Sequence, residues 1–153
     1  MSFPFKAIFI TVVSVLILFF GYRVVDHLIN LGDEAEVQVF YENLENKIKN
    51  CYSLDTGSIC SLSTIRIPST IKQVCFINID ASMDNIQDRK IKILAETSAR
   101  ENVFLVKKSD AKIRNIKTKV DNFEVEGGSF CFDVISGKII AELENQGTHV
   151  EIR

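Results

Sequence analysis

The sequence predicts an α+β protein in which an N-terminal transmembrane helix extends into an amphipathic stalk helix. The stalk is packed on an antiparallel β-sheet domain with one additional short helix. Three observations lead to this prediction. An uncharged apolar run fills residues 7–22, a helical apolar period continues to about residue 50, and the period changes to two from residue 62 onward. We therefore divide the 153 residues into a transmembrane anchor (1–25), a stalk helix (26–50) and a β domain (51–153).

The apolar run AIFITVVSVLILFFGY has the length and composition of a membrane helix. Its residues span about 24 Å as a helix, and Phe3, Phe5, Val24 and Val25 extend it toward the roughly 30 Å of a hydrocarbon core. A cleaved signal peptide and a buried core helix are the alternatives. Bulky residues around Phe19-Phe20-Gly21-Tyr22 and apolarity on every face favour an uncleaved signal anchor. The predicted anchor residues are Ile8, Phe9, Val12, Val13, Leu16, Leu18, Phe19 and Phe20.

The charges that flank the anchor predict its orientation. Lys6 precedes the run, whereas Arg23 is followed by Asp26, Asp33 and Glu34. The positive-inside bias favours a cytoplasmic N-terminus, so we expect a single-pass protein with an extracytoplasmic C-terminal domain.

Apolar residues continue at helical spacing beyond the anchor, beginning with Val25, Leu28 and Ile29 on one face. The segment Leu31-Gly32-Asp33 predicts either a kink or a new helix with Asp33 as N-cap. A second apolar stripe follows on the stalk helix and must be covered by another part of a protein. The β domain of the same chain and a neighbouring subunit are the two candidates. This stripe consists of Val37, Phe40, Tyr41, Leu44 and Ile48.

Four cysteines in an exported domain predict two disulfides, because an even number pairs without remainder. The spacing lacks the close pairs of a zinc site or a Cys-x-x-Cys redox motif. Cys51 and Cys60 flank a short turn, which favours a local loop. Cys75 and Cys131 lie in the apolar runs VCFINI and SFCFDVI, which favours a link between two strands.

Period-two segments predict the strands of an antiparallel meander. Hairpin signals at Gly127-Gly128, Ser136-Gly137 and Asn145-Gln146-Gly147 join its later strands. A helix within 84–98, capped by Ser82 or Asp84, is expected on the sheet surface. Its predicted face is Ile86, Lys90, Ile93, Leu94 and Thr97. The predicted strands are 63–67, 70–79, 102–107, 112–117, 120–126, 129–135, 138–144 and 148–153.

No combination of residues predicts catalysis. Asp55-Thr56-Gly57 matches the tripeptide of aspartic proteases, but such an enzyme needs two loops that share a proton, and a turn is the simpler interpretation. His149 has no nucleophile in a recognisable motif near it, and His27 follows the anchor as an interfacial polar residue. We predict no catalytic, cofactor-binding or metal-binding residue, no cofactor and no enzymatic activity.

The order of an apolar helix, an amphipathic stalk and a β domain resembles that of type IV pilin-like proteins, especially small archaeal membrane proteins. The resemblance covers the architecture, since Lys6 is followed by Ala7 rather than the glycine of a typical pilin cleavage site. It implies a role for the anchor, residues 8–20, in a surface or secretion assembly.

Two functions are therefore expected, and an enzyme is the third and least favoured class. The first is a membrane-anchored extracytoplasmic structural or assembly protein, and the second is a tethered β domain that binds a ligand or partner. The expected partners are membrane lipid and either further copies or subunits of a membrane complex. The net charge of −2, with 18 basic residues scattered among 20 acidic ones, predicts no nucleic-acid partner.

Overall fold

A computed structural model of the chain describes residues 3–78, 89–96, 98, 100–108, 116–126 and 129–153. It has one long N-terminal helix packed on a domain rich in antiparallel strands, so the predicted α+β class is confirmed. The single-turn 3₁₀ helix Leu62–Thr64 follows the first strand.

Helix α1 runs without interruption from Phe3 to Tyr52. Of the two alternatives at Leu31-Gly32-Asp33, a continuing helix and a new start at Asp33, the structure has the continuing helix. Gly32 costs a helix only about 1 kcal/mol relative to alanine, and well-formed turns on both sides outweigh this cost. The helix ends where the Asn145 side chain donates hydrogen bonds to the carbonyl oxygens of Tyr52 (3.0 Å) and Leu54 (2.7 Å).

The strands form two four-stranded sheets. Sheet I has the order β1-β7-β8-β5, and its strands are Ile59–Ser61, Glu142–Asn145, Val150–Ile152 and Phe123–Val125. Sheet II has the order β4-β3-β2-β6, and its strands are Lys117–Thr118, Val103–Lys107, Ile71–Ile77 and Ser129–Asp133.

The predicted meander is wrong, because consecutive strands repeatedly change sheet. Strand β5 pairs with β8 in parallel, and β6 and β7 lie in different sheets. Ser136-Gly137 forms a tight turn closed by the Ile135–Lys138 bridge, but the chain then passes from sheet II to sheet I. The turn at Asn145-Gln146-Gly147 does join an antiparallel pair, β7 and β8, as predicted.

Some predicted boundaries also differ from the structure. The predicted strand 63–67 is replaced by β1 at Ile59–Ser61 and the 3₁₀ turn, and the predicted strand 138–144 begins only at Glu142. Most of the predicted strand 112–117 and the Gly127-Gly128 turn lie outside the described residues.

The second helix, α2, spans Arg89–Glu96, inside the predicted window 84–98. Its proposed caps Ser82 and Asp84, together with Ile86 and Thr97, lie outside the described residues. Ile93 is half exposed.

One hydrophobic core joins α1 to both sheets. The stripe predicted on α1 is buried in it, with Phe40 and Leu44 no more than 1% exposed. Phe76 of sheet II contacts Phe123 of sheet I at 5.4 Å between ring centroids. The stripe thus packs on its own domain, and each of its large side chains contributes about 1.5–3 kcal/mol by transfer from water.

Candidate functional site

The predicted anchor residues are largely left uncovered by the rest of the protein. Seven of the eight are between 48% and 73% exposed, and Val13 is half-buried. Among the described residues, α1 is the one helix long and apolar enough to cross a membrane. Its most apolar 18-residue window has a mean hydropathy of 2.4 and lies near the N-terminus. This geometry fits a single-pass membrane protein.

The turns of α1 where the anchor meets the stalk carry a second uncovered apolar face. Val24, Val25, Leu28, Ile29 and Leu31 are 49–61% exposed. At 3.6 residues per turn they fall within an arc of about 160°. The opposite arc holds the polar side chains Arg23, Asp26, His27 and Asn30.

The apolar face of α1 changes sides where the helix meets the β domain. Val37, Tyr41 and Leu44, which are buried in the core, lie on the side that is polar in the preceding turns. Val39, two residues after Val37, is 56% exposed on the other side. The domain packs on the opposite side of α1 and therefore cannot cover the apolar face of residues 24–31. The buried stripe and this exposed face belong to the same helix but point in different directions.

Both disulfides are present with the expected pairing. The Cys51–Cys60 bond joins the end of α1 to β1, and Cys75–Cys131 joins directly opposed residues of β2 and β6. Cys75 is buried, whereas Cys131 is exposed. None of the described cysteines is free for metal or redox chemistry.

The Asp55-Thr56-Gly57 segment is a turn beside the first disulfide. Its Gly57 has φ +86° and donates its amide to the Asn145 carbonyl oxygen at 2.7 Å. Asp55 is exposed and its carbonyl oxygen accepts from the Ser58 amide at 3.0 Å.

A groove of about 490 Å³ lies at the end of the domain farthest along α1 from the anchor. His149 lines it, with Nε2 3.7 Å from the Glu124 Oε2 atom and Nδ1 3.0 Å from the Thr148 hydroxyl oxygen. Among the described residues, no set of three or more His, Cys, Asp or Glu side chains is placed to hold a metal ion.

The nearby Glu101–Lys117 pair supports the structure of this end of the domain. The Lys117 Nζ atom lies 3.1 Å from the Glu101 carboxylate and donates to the Ser98 hydroxyl at 2.9 Å. The hydrogen bond from Lys117 lowers the pKa of the Glu101 carboxyl. The pair fixes the start of β3 to β4 rather than presenting a reactive group.

A larger open groove of about 790 Å³ lies at the other end of the domain, nearest the anchor. One wall is α1 at Ala35, Glu36 and Val39, and the other holds Arg66 and Lys108. The basic side chains at this end are distant from one another in sequence, so no basic run predicted them. One feature of the sequence could have indicated them. Each basic residue lies near the end of a strand, and the ends of neighbouring antiparallel strands meet at the same edge of a sheet.

No protein-family model, curated protein or solved structure matches this chain.

Proposed function

We propose that the chain is a membrane-anchored extracytoplasmic structural or assembly protein of pilin-like design, whose stalk helix packs against further copies of itself. The observation that carries this proposal is the uncovered apolar face of residues 24–31. It continues the membrane anchor into water on the side of α1 away from the domain.

The size of this face supports a protein partner. Five half-exposed aliphatic side chains present on the order of 500 Å² of apolar surface, which is at the upper end for monomeric proteins. A stable interface buries about 800 Å² per partner, and the adjoining exposed anchor supplies the remainder. A parallel bundle of copies would cover anchor and stalk together.

The location outside the cytoplasm rests on two supports. Acidic residues dominate the stretch after the anchor, which favours an exported C-terminal side. Two disulfides are typical of proteins in oxidising compartments. The plan resembles small archaeal pilin-like proteins, and the proposed role is structural rather than catalytic.

The test compares two double variants of the full-length protein in detergent or nanodiscs. Val25→Gln/Leu28→Gln polarises the apolar face, whereas His27→Gln/Asn30→Gln changes the opposite face over the same turns. Analytical ultracentrifugation should find oligomers for the native chain and the control, and monomers for Val25→Gln/Leu28→Gln. A monomeric native chain would contradict the proposal and favour a tethered β domain that binds a ligand or partner.

A further inference from the structure

The end of the β domain nearest the anchor can be identified from the path of the chain. Cys60 is bonded to Cys51 near the C-terminal end of α1. From there the chain runs back along the helix until Ile67 and Pro68 line the groove beside Ala35 and Val39. The membrane-facing end therefore holds the segments that follow Ile65 and Asp133, together with Lys108 at the end of β3.

We call four of the exposed basic residues described at this end, Arg66, Lys72, Lys108 and Lys138, the basic rim. The fold brings them together: the Lys108 amide donates to the Thr70 carbonyl oxygen, and the Val134 amide donates to the Lys72 carbonyl oxygen, both at 2.9 Å. Within the part of the chain that the structure describes, none of the four has a carboxylate within salt-bridge distance. Of the acidic residues nearby, Asp133 accepts a hydrogen bond from Gln73 at 2.8 Å.

The positive charge of the rim is local, since the whole chain has a net charge of −2. The outer face of sheet I carries the acidic residues Glu124, Glu144 and Glu151 in register across three strands. Within the β domain charge is thus distributed unevenly, with basic groups toward the membrane and acidic groups on sheet I. The stalk beside the rim is acidic, and its Glu36 lines the same groove as Arg66 and Lys108.

The rim lies close enough to a bilayer for contact. From Val25, at the predicted edge of the hydrocarbon core, to Ala35 the helix rises about 15 Å. The headgroup layer occupies about 5–8 Å of this rise, and helix tilts of about 20° lower one side further. The remaining gap is within the reach of Lys and Arg side chains and comparable to the Debye length of about 8 Å.

An apolar side chain projects from the same end. Ile135 is 65% exposed at the tight turn that Lys138 closes. Ser136 and Gly137 hold this turn with φ of 52° and 74°. A basic group beside an exposed aliphatic tip is the combination that binds a lipid interface, where the charge meets phosphate and the side chain meets acyl chains.

We propose that the basic rim docks on anionic lipid headgroups of the membrane that holds the anchor, with Ile135 inserted at the interface. This inference rests on the membrane anchoring of the proposed function. Docking would fix the angle of the domain relative to the bilayer.

The chain contains no tryptophan, so a single introduced tryptophan reports on one position. Full-length Ile135→Trp protein is reconstituted in phosphatidylcholine vesicles with and without phosphatidylglycerol, each carrying a lipid-bound quencher at headgroup depth. With phosphatidylglycerol, we expect a blue-shifted and quenched emission that recovers near 1 M salt, where the Debye length falls to about 3 Å. Ile59→Trp, at the far end of the domain, should give the same emission in both vesicles.

Charge reversal provides the matched comparison. Each basic group near an anionic surface favours docking by about fivefold, so Lys108→Glu/Lys138→Glu should lower the docked-to-free ratio by roughly 25-fold or more. The control Lys49→Glu/Lys119→Glu reverses the same number of charges at the end of the domain away from the anchor. It should leave the docked-to-free ratio unchanged.

Three results would overturn the proposal: no quenching at Ile135→Trp, quenching that is equal in both lipids, or quenching that depends on protein density. Quenching that depends on protein density would mean that the basic rim binds a neighbouring copy, at its acidic stalk residues Asp33, Glu34 and Glu36, and not lipid. Flotation of the vesicles measures anchoring separately, so a protein that fails to float refutes the anchor and not the rim.

Discussion

At the scale of the residue, Asn145 links three parts of the fold. Its side chain is 2% exposed, donates to the carbonyl oxygens of Tyr52 and Leu54, and accepts from the Gly147 amide at 2.8 Å. The sequence predicted only a turn here. A turn signal describes the local backbone, whereas the two carbonyl oxygens that accept from this amide are more than 90 residues away.

Replacing Asn145 tests this role. Asn145→Ala leaves two carbonyl oxygens at the end of α1 without their donor, so we expect a loss of about 1–3 kcal/mol in the free energy of unfolding. Chemical denaturation of residues 33–153 measures it. Asn50→Ala, on the exposed side of the same helix end, should change stability by less than about 0.5 kcal/mol. Equal effects of the two substitutions would show that the hydrogen bonds of Asn145 contribute nothing specific.

Tyr41 makes the stability of the domain depend on pH. Burial raises the pKa of its hydroxyl above the ordinary value of 10.0, because the phenolate loses its hydration. The buried, protonated Tyr41 contributes to the free energy of unfolding. This contribution is fully present below pH 10 and is lost as the pH rises toward the pKa of Tyr41 in the folded state. Denaturation curves should show this loss above pH 10 for the native sequence. They should show a smaller loss for Tyr41→Phe, and an identical alkaline loss in both would rule out Tyr41 as its source.

At the scale of the element, α1 has two apolar faces that point in different directions. Both were visible in the sequence, since Val25, Leu28 and Ile29 and the stripe from Val37 to Ile48 follow the helical period. Their relative direction depended on whether the helix continues through Gly32. Continuity could not be predicted from that glycine, because its small penalty is overcome by the flanking turns.

Truncating the buried stripe should be costly. Phe40→Ala and Leu44→Ala should each lower the free energy of unfolding by about 2–5 kcal/mol, because both leave a cavity in the shared core. Val39→Ala removes an exposed aliphatic side chain one residue away and should cost less than about 0.5 kcal/mol. Denaturation of the three variants in residues 33–153 distinguishes them. Equal costs would mean that the stripe does not support the core.

Two shortened chains test the same helix as a unit. Residues 33–153 keep the stripe and should fold, whereas residues 51–153 lose it and should be unstable or aggregate, even though they retain all four cysteines. Circular dichroism and size-exclusion chromatography compare them. If residues 51–153 fold with unchanged stability, the stripe is free for partners and our description of the core is wrong.

At the scale of the whole molecule, the sequence predicted the class of fold but not its topology. The positions of β2, β3, β6 and β8 followed from their apolar periods and turn signals. The parallel pairing of β5 with β8 did not, because periodicity defines a strand and its faces but not its neighbour. The basic rim was missed for the same reason, since its members meet only after sheet II has formed.

The central claim is that α1 holds an exported domain in the membrane, and labelling at the C-terminus tests it most directly. A biotin-acceptor site introduced after Arg153, in cells that produce the full-length chain, is exposed to a membrane-impermeant ligase and biotin. Our account predicts labelling of intact cells, with no increase after lysis beyond that of a known surface protein. Labelling that occurs only after lysis would place the domain in the cytoplasm and contradict the account.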